Sequence, residues 1–115
     1  MAVRLDLVVI YAGDLQQTKQ IYEVIGLEFT REKHGAGPEH FAATLDGVVL
    51  EVYPRKIHSD LKQIVRLGFR VPSVDVVLER LAALKVEIVT HPHDTPWGRR
   101  AAVRDPDGYT IDLSS

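Results

Sequence analysis

Apolar positions along this chain alternate between two spacings, and each change of spacing marks a new element. From Arg4 to Ala12 the apolar residues are dense and rich in Val and Ile, which predicts a strand. Gly13-Asp14 interrupts it, and Asp14 is placed to cap a helix. Leu15, Thr18, Ile21, Tyr22 and Ile25 then share one helical stripe that Gly26 ends. Leu27 to Lys33 predicts a second strand, and His34-Gly35-Ala36-Gly37-Pro38 a loop. Phe41 to Leu45 and Val48 to Tyr53 flank Asp46-Gly47, a strong signal for a tight hairpin.

The series then repeats. Val65 to Val71 predicts a strand, Ser73 a cap, and Val74, Val77, Leu78, Leu81 and Leu84 an amphipathic helix. Val86 to Thr90 predicts a strand, followed by a loop through Pro92 and Pro96. Arg99 to Arg104 and Tyr109 to Leu113 flank the turn Asp105-Pro106-Asp107-Gly108. Residues 7–29 lie on residues 66–88 without a gap, pairing Val8 with Leu67, Ile10 with Phe69 and Tyr22 with Leu81. Asp46-Gly47 likewise falls on Asp107-Gly108, and Glu51 on Asp112. Two copies of β-α-β-β-β account for the chain, at about 4–54 and about 64–113, within a single domain spanning 1–115.

Composition narrows the function classes. The chain has 115 residues, enough for one domain with its own core. It contains no Cys, which removes disulfides, thiolate metal sites and cysteine nucleophiles. Fourteen basic and sixteen acidic residues give a net charge of −2, so no global field recruits nucleic acid or anionic lipid. No apolar run is long enough for a membrane span, and Arg4-Leu5-Asp6-Leu7 is no signal peptide. A soluble cytoplasmic protein is expected. No Ser-His-Asp order, glycine fingerprint or phosphate loop is present.

The duplicated pattern, with Pro96-Trp97-Gly98, Val103-Arg104-Asp105-Pro106-Asp107-Gly108 and Leu5-Asp6 leading to Gly13-Asp14-Leu15, resembles the vicinal-oxygen-chelate superfamily. That group contains glyoxalase I, bleomycin-resistance and extradiol-dioxygenase proteins. The resemblance implies an α+β fold in which each module rolls a curved four-stranded sheet into a half-barrel with its helix outside. It also implies a homodimer whose cavities each join one module from each subunit. In metal-dependent members four strand positions supply the ligands, and these fall on Leu7, Glu51, Arg66 and Asp112. Both carboxylate positions keep an acid, whereas both imidazole positions are lost. Leu7 has no donor atom, and a guanidinium about 4 Å from a divalent ion would repel it by several kcal/mol at an effective dielectric near 20. The usual centre is therefore expected to be absent. Glu51 and Asp112 remain a weak alternative site for Mg²⁺ or Ca²⁺ with waters.

Strand alternation puts Val49, Glu51 and Tyr53 on one face, so Glu51 reads either as a cavity-lining acid or as a solvated strand charge. Asp112 carries the same two readings. Arg66 reads as an ion pair with Glu51 or Asp112 that fills the vacated space, or as an anion clamp. Arg70 either extends a basic stripe or reaches into solvent. The histidines are His34, His40, His58, His91 and His93. His40 reads as a pocket-lining base or donor, or as a strand-edge residue in water. His34 belongs to the loop expected to rim the mouth. His91 and His93 flank Pro92, which favours a surface turn over a two-His metal pair. Trp97 packs on its own domain or anchors a ligand, and Tyr11 and Tyr53 add stacking.

Three functions remain. The first is a metal-free small-molecule-binding protein resembling the drug- or metabolite-sequestering bleomycin-resistance type, with His40, Glu51, Tyr53, Arg66, Trp97 and Asp112 in contact with the ligand. The second is a glyoxalase-like lyase or isomerase acting on a small carbonyl compound. There His40 or Glu51 is the base and Arg66 stabilises an enolate-like anion, with a divalent metal such as Zn, Ni, Mn or Fe as a variant. The third is a dimeric scaffold. None of them involves nucleic acid or a membrane.

Overall fold

The computed structural model describes residues 7–55 and 65–115. In chain order the elements are β1 (Leu7–Ala12), α1 (Leu15–Ile25), β2 (Thr30–Glu32), β3 (His40–Leu45) and β4 (Val48–Pro54), then β5 (Arg66–Arg70), α2 (Val74–Ala83), β6 (Glu87–Thr95), β7 (Gly98–Arg104) and β8 (Thr110–Ser114). They build two four-stranded mixed sheets, ordered β1-β4-β3-β2 and β5-β8-β7-β6. In each sheet the first strand runs parallel to the last, and the remaining neighbours are antiparallel. The sheets thus repeat one topology, as the sequence repeat predicts, and the fold is α+β.

Local chemistry sets the helix limits. The Asp14 carboxylate accepts from the Gln17 N–H at 3.0 Å and starts α1. Gly26 ends it at φ 130°, a conformation that a side chain would strain. The Ser73 hydroxyl oxygen accepts from the Val76 N–H at 3.3 Å and starts α2. Asp46 (φ 49°) and Gly47 (φ 84°) are both left-handed, as the tight β3–β4 hairpin requires.

One core joins the two modules. Ile21, Tyr22 and Ile25 of α1 and Val74, Leu78 and Leu81 of α2 pack in a single cluster with the inward residues of both sheets. From the first sheet these are Ile10, Ala12, Leu50 and Val52, and from the second Val103, Ile111 and Leu113. Polar bonds from the β7–β8 turn fasten the modules further. Asp105 accepts from the backbone N–H groups of Asp107 and Tyr109 and, at 3.0 Å, from the buried Tyr22 hydroxyl. Asp107 accepts from the Gly13 N–H at 2.9 Å and pairs with Arg55 at 2.7 Å. Burial holds the Asp105 carboxyl above the usual aspartate range. Burial and then the adjacent Asp105 charge hold Tyr22 far above the usual phenol value.

Two expected boundaries are corrected. The second strand is only Thr30–Glu32, because the Leu27 N–H closes the helix onto the Tyr22 carbonyl and the buried Leu27 side chain joins the core. The segment through Pro92 is no loop but the middle of β6. β6 is the edge of its sheet, and two register irregularities, between Ile88 and Thr90 and between Thr90 and His93, accommodate a residue without an N–H. The expected start of β1 at Arg4, and His58, lie outside the described residues.

Asp105→Ala is expected to lower unfolding stability by about 2–3 kcal/mol in urea titrations, since it leaves the buried Tyr22 hydroxyl and two turn N–H groups without an acceptor. Asp105→Asn tests the pH dependence. A raised carboxyl pKa means the folded chain holds its proton more tightly, so stability falls as pH rises from the ordinary value of 3.8 through the folded one. That decline should be smaller in Asp105→Asn, read as the difference between the two stability–pH curves.

Candidate functional site

Because one face of each sheet is buried under the helices, the residues between the core positions emerge on the opposite face. In the first sheet the ladder sets Glu32 opposite His40 and Tyr11 opposite Tyr53. His40 stacks on Tyr53 with centroids 4.1 Å apart and planes 9° from parallel, while the Tyr11 and Tyr53 rings are 6.2 Å apart. Glu32, His40, Tyr53 and Tyr11 therefore form one row across all four strands. Glu51 stands one step along β4 on the same face, where its Oε2 is 3.2 Å from His40 Nε2.

His40 is only 2% exposed, which removes the reading of a strand-edge residue in water. Its Nδ1 lies 3.2 Å from the Pro38 carbonyl oxygen, which can only accept, so Nδ1 carries the proton. In the neutral ring Nε2 then presents a lone pair. Two carboxylate oxygens face it, Glu51 Oε2 at 3.2 Å and Glu32 Oε1 at 3.5 Å, without the alignment of a hydrogen bond, and Nε2 has no hydrogen-bond partner. The His34 ring is 5.3 Å from that of His40, with its Nε2 3.8 Å from the same Glu32 oxygen. Donor atoms of Glu32, His34 and His40 all lie within 4.8 Å of one another, close enough to hold a cation. Burial, then the charges of Glu51 and Glu32, push the Tyr53 hydroxyl above its ordinary value.

The outer face of the second sheet is different. Arg66 binds Asp112 through both oxygens, Nε to Oδ2 at 3.0 Å and Nη2 to Oδ1 at 2.7 Å. Hydrogen bonding to Asp112, then its charge, raises the Arg66 pKa further. This settles Arg66's partner: it is Asp112, while Glu51 turns to His40. A cavity of about 360 Å³ adjoins the pair, lined also by Thr90, His93, Arg100 and Ala102. Arg70 is exposed farther along β5. His91 and His93 are exposed on β6, and the His93 Nδ1 is 3.0 Å from the His91 carbonyl oxygen. Trp97 is 79% exposed in the β6–β7 turn, so it does not pack on its own domain.

The candidate residues thus separate into three places. His40, Glu51 and Tyr53 come together on the first sheet, Arg66 and Asp112 on the second, and Trp97 stands apart at a hairpin tip. Glu32 and His34 join the first group unforeseen. Their signal was an acid and an imidazole two residues apart, just before a hairpin that returns through His40.

The four positions implied for a family metal centre do not fit a divalent cation. Leu7 offers no donor atom, both Asp112 oxygens are taken by Arg66, and the Arg66 cation itself occupies the third position. Only Glu51 remains, and it faces His40.

Residues 4–113 match the family described as Glyoxalase/Bleomycin resistance protein/Dioxygenase superfamily. Solved structures with the same fold include the hypothetical protein SA1046 from S. aureus (TM-score 0.80, 14% identity, 99% of this chain and 94% of that one). TioX from Micromonospora sp. ML1 matches with a TM-score of 0.71 at 20% identity, covering 97% and 98%. A glyoxalase/bleomycin resistance protein from Streptomyces sp. CB03234 matches with a TM-score of 0.68 at 25% identity, covering 97% and 100%. None of the curated proteins matches the chain.

Glu51→Gln removes the largest of the charges that raise the Tyr53 pKa, so the hydroxyl should titrate at lower pH than in the unaltered protein. Ultraviolet phenolate titration, taken as a difference against Tyr53→Phe, isolates that one ring. An unchanged Tyr53 titration would mean that Glu51 does not approach it.

Proposed function

Since the chain belongs to the glyoxalase/bleomycin resistance protein/dioxygenase superfamily, we propose that it binds a small organic molecule on the outer face of its first sheet, without a metal at the four family positions. The observation that carries this reading is the Tyr11–Tyr53–His40 row with Glu51 and Glu32 beside it. Stacked rings favour a flat ligand, and two carboxylates favour one bearing an amine or another hydrogen-bond donor. The Arg66–Asp112 pair fills the place of the metal with a salt bridge, consistent with the bleomycin-resistance type of binder.

A second copy of the chain completes the cavity in this reading. Leu7, Val9 and Tyr11 are large apolar side chains left exposed along β1, beside the acidic row. Arg70 and Arg100 place cations on the second sheet, where Arg66 is already paired with Asp112. A two-fold dimer that lays the second sheet of one copy against the first sheet of the other covers the apolar strand and brings opposite charges together.

A second reading, a lyase or isomerase acting on a carbonyl compound, draws on the unpartnered His40 Nε2 next to Glu51, a pair suited to moving a proton. Turnover lost in His40→Ala and kept in Trp97→Ala, with both variants still melting cooperatively, would select it over binding alone.

The binding reading predicts a dimer by sedimentation velocity and a monomer for Val9→Asp. In a thermal-shift panel, planar amines should raise Tm by several degrees, since a ligand at a hundred times its Kd adds about 2.7 kcal/mol. Tyr53→Ala should weaken the hit by up to about tenfold, the worth of one stacked ring. A hit that Tyr53→Ala and Glu51→Gln leave untouched would place the ligand elsewhere.

A further inference from the structure

The lone pair of His40 Nε2 meets two carboxylates and no donor. Three acceptors aimed at one place require something positive between them. A proton on Nε2 would serve Glu51 or Glu32, but it gives no role to His34, whose Nε2 closes on the same Glu32 oxygen from the other side.

The geometry points to a divalent transition-metal site, zinc foremost, formed by Glu32, His34 and His40, with the Glu51 carboxylate beside it. Zinc binds imidazole nitrogen and carboxylate oxygen at about 2.0–2.2 Å, so tetrahedral ligand atoms stand about 3.3–3.5 Å from one another. The separations here are 3.5 Å (His40 to Glu32) and 3.8 Å (His34 to Glu32), and the Glu51 carboxylate brings further negative charge to 3.2 Å from His40 Nε2. Mixed nitrogen and oxygen donors suit zinc or a neighbouring first-row ion rather than magnesium or calcium, which take oxygen.

Supporting bonds are already in place. The His40 N–H at Nδ1 is directed at the Pro38 carbonyl, the outer bond that orients a metal-bound imidazole. Stacking on Tyr53 holds the ring plane. His34 starts a tight turn in which the Gly37 N–H donates to the His34 carbonyl at 2.9 Å, which fixes its distance from β3. His40 is the buried floor of the site and His34 its exposed rim, so an ion would enter from the outer face of the sheet and keep a coordination position open to an oxygen-bearing molecule. The three ligands lie outside the four family positions; two of them, Glu32 and His40, are shared with the ligand reading, and metal titration tests the site with no organic molecule present. The expectation of a metal-free protein narrows accordingly to those four positions.

Untagged full-length protein, stripped with chelator, is titrated with zinc and separately with cobalt(II), which reports four-coordinate nitrogen/oxygen ligation by visible absorption. Saturation is expected at one ion per chain. His34→Ala and Glu32→Gln should each weaken binding by about 100-fold or more, since even supporting residues are worth 10–100-fold. His93→Ala, altered at the other exposed imidazole pair, should bind as the unaltered chain does. His34 and Glu32 lie outside the core, so the melting temperatures of their metal-free forms check that both variants fold. The proposal fails if no ion binds at one per chain, or if either variant binds as tightly as the unaltered protein.

Discussion

Burial of one face of each sheet against the paired helices is the constraint from which the rest of the structure follows. A strand sends alternate side chains to opposite faces. Once Ile10, Ala12, Leu50 and Val52 are committed to α1, the intervening Val9, Tyr11, Glu51 and Tyr53 have no choice of direction. The same holds for Ile111 and Leu113, which leave Asp112 outward between them. A slip of one residue in either sheet would exchange core and surface, so the geometry of the candidate site is held by the packing behind it.

The two modules share a topology and diverge on this outward face. At equivalent strand positions, Glu51 stands where the second module has Asp112, and Leu7 where it has Arg66. In the second sheet the pair closes on itself, because a guanidinium fork matches a carboxylate bidentately and the interaction satisfies both. In the first sheet Leu7 offers the acid nothing, and Glu51 turns to a third strand and finds His40. One substitution pattern thus silences the acid of one module and leaves that of the other available.

Much of this was legible in the sequence. Asp14, Gly26, Asp46-Gly47 and Ser73 act locally, through caps and turns whose chemistry does not depend on the remainder of the fold, and the structure uses each as expected. The apolar repeat, too, depends only on spacing. Pro92 misled because its effect is set by context: in a central strand it would break the ladder, whereas β6 is an edge. His40, Glu51 and Tyr53 were recognisable as one face because two neighbouring strands and a tight hairpin define their register. Glu32 and His34 were not, since their approach to His40 needs the β2–β3 pairing across a turn of unknown shape. Asp105 and Asp107 read as turn residues, and their long-range bonds to Tyr22, Gly13 and Arg55 exist only once the helices have packed.

The arrangement at His40 is also informative for what it costs. A buried polar nitrogen without a partner lowers stability by about 1–3 kcal/mol, a sizeable share of a small domain's margin. Packing tolerates this because the ring is clamped between Tyr53 and the Pro38 carbonyl and cannot turn away. Elsewhere the buried polar groups reach partners: Asp105 finds Tyr22 and two backbone donors, and Thr18 approaches Asp107. Among the described residues, His40 Nε2 alone is a buried side-chain atom left unpaired. That nitrogen, between two acids and beside a second imidazole, is where the proposed metal site has its buried floor.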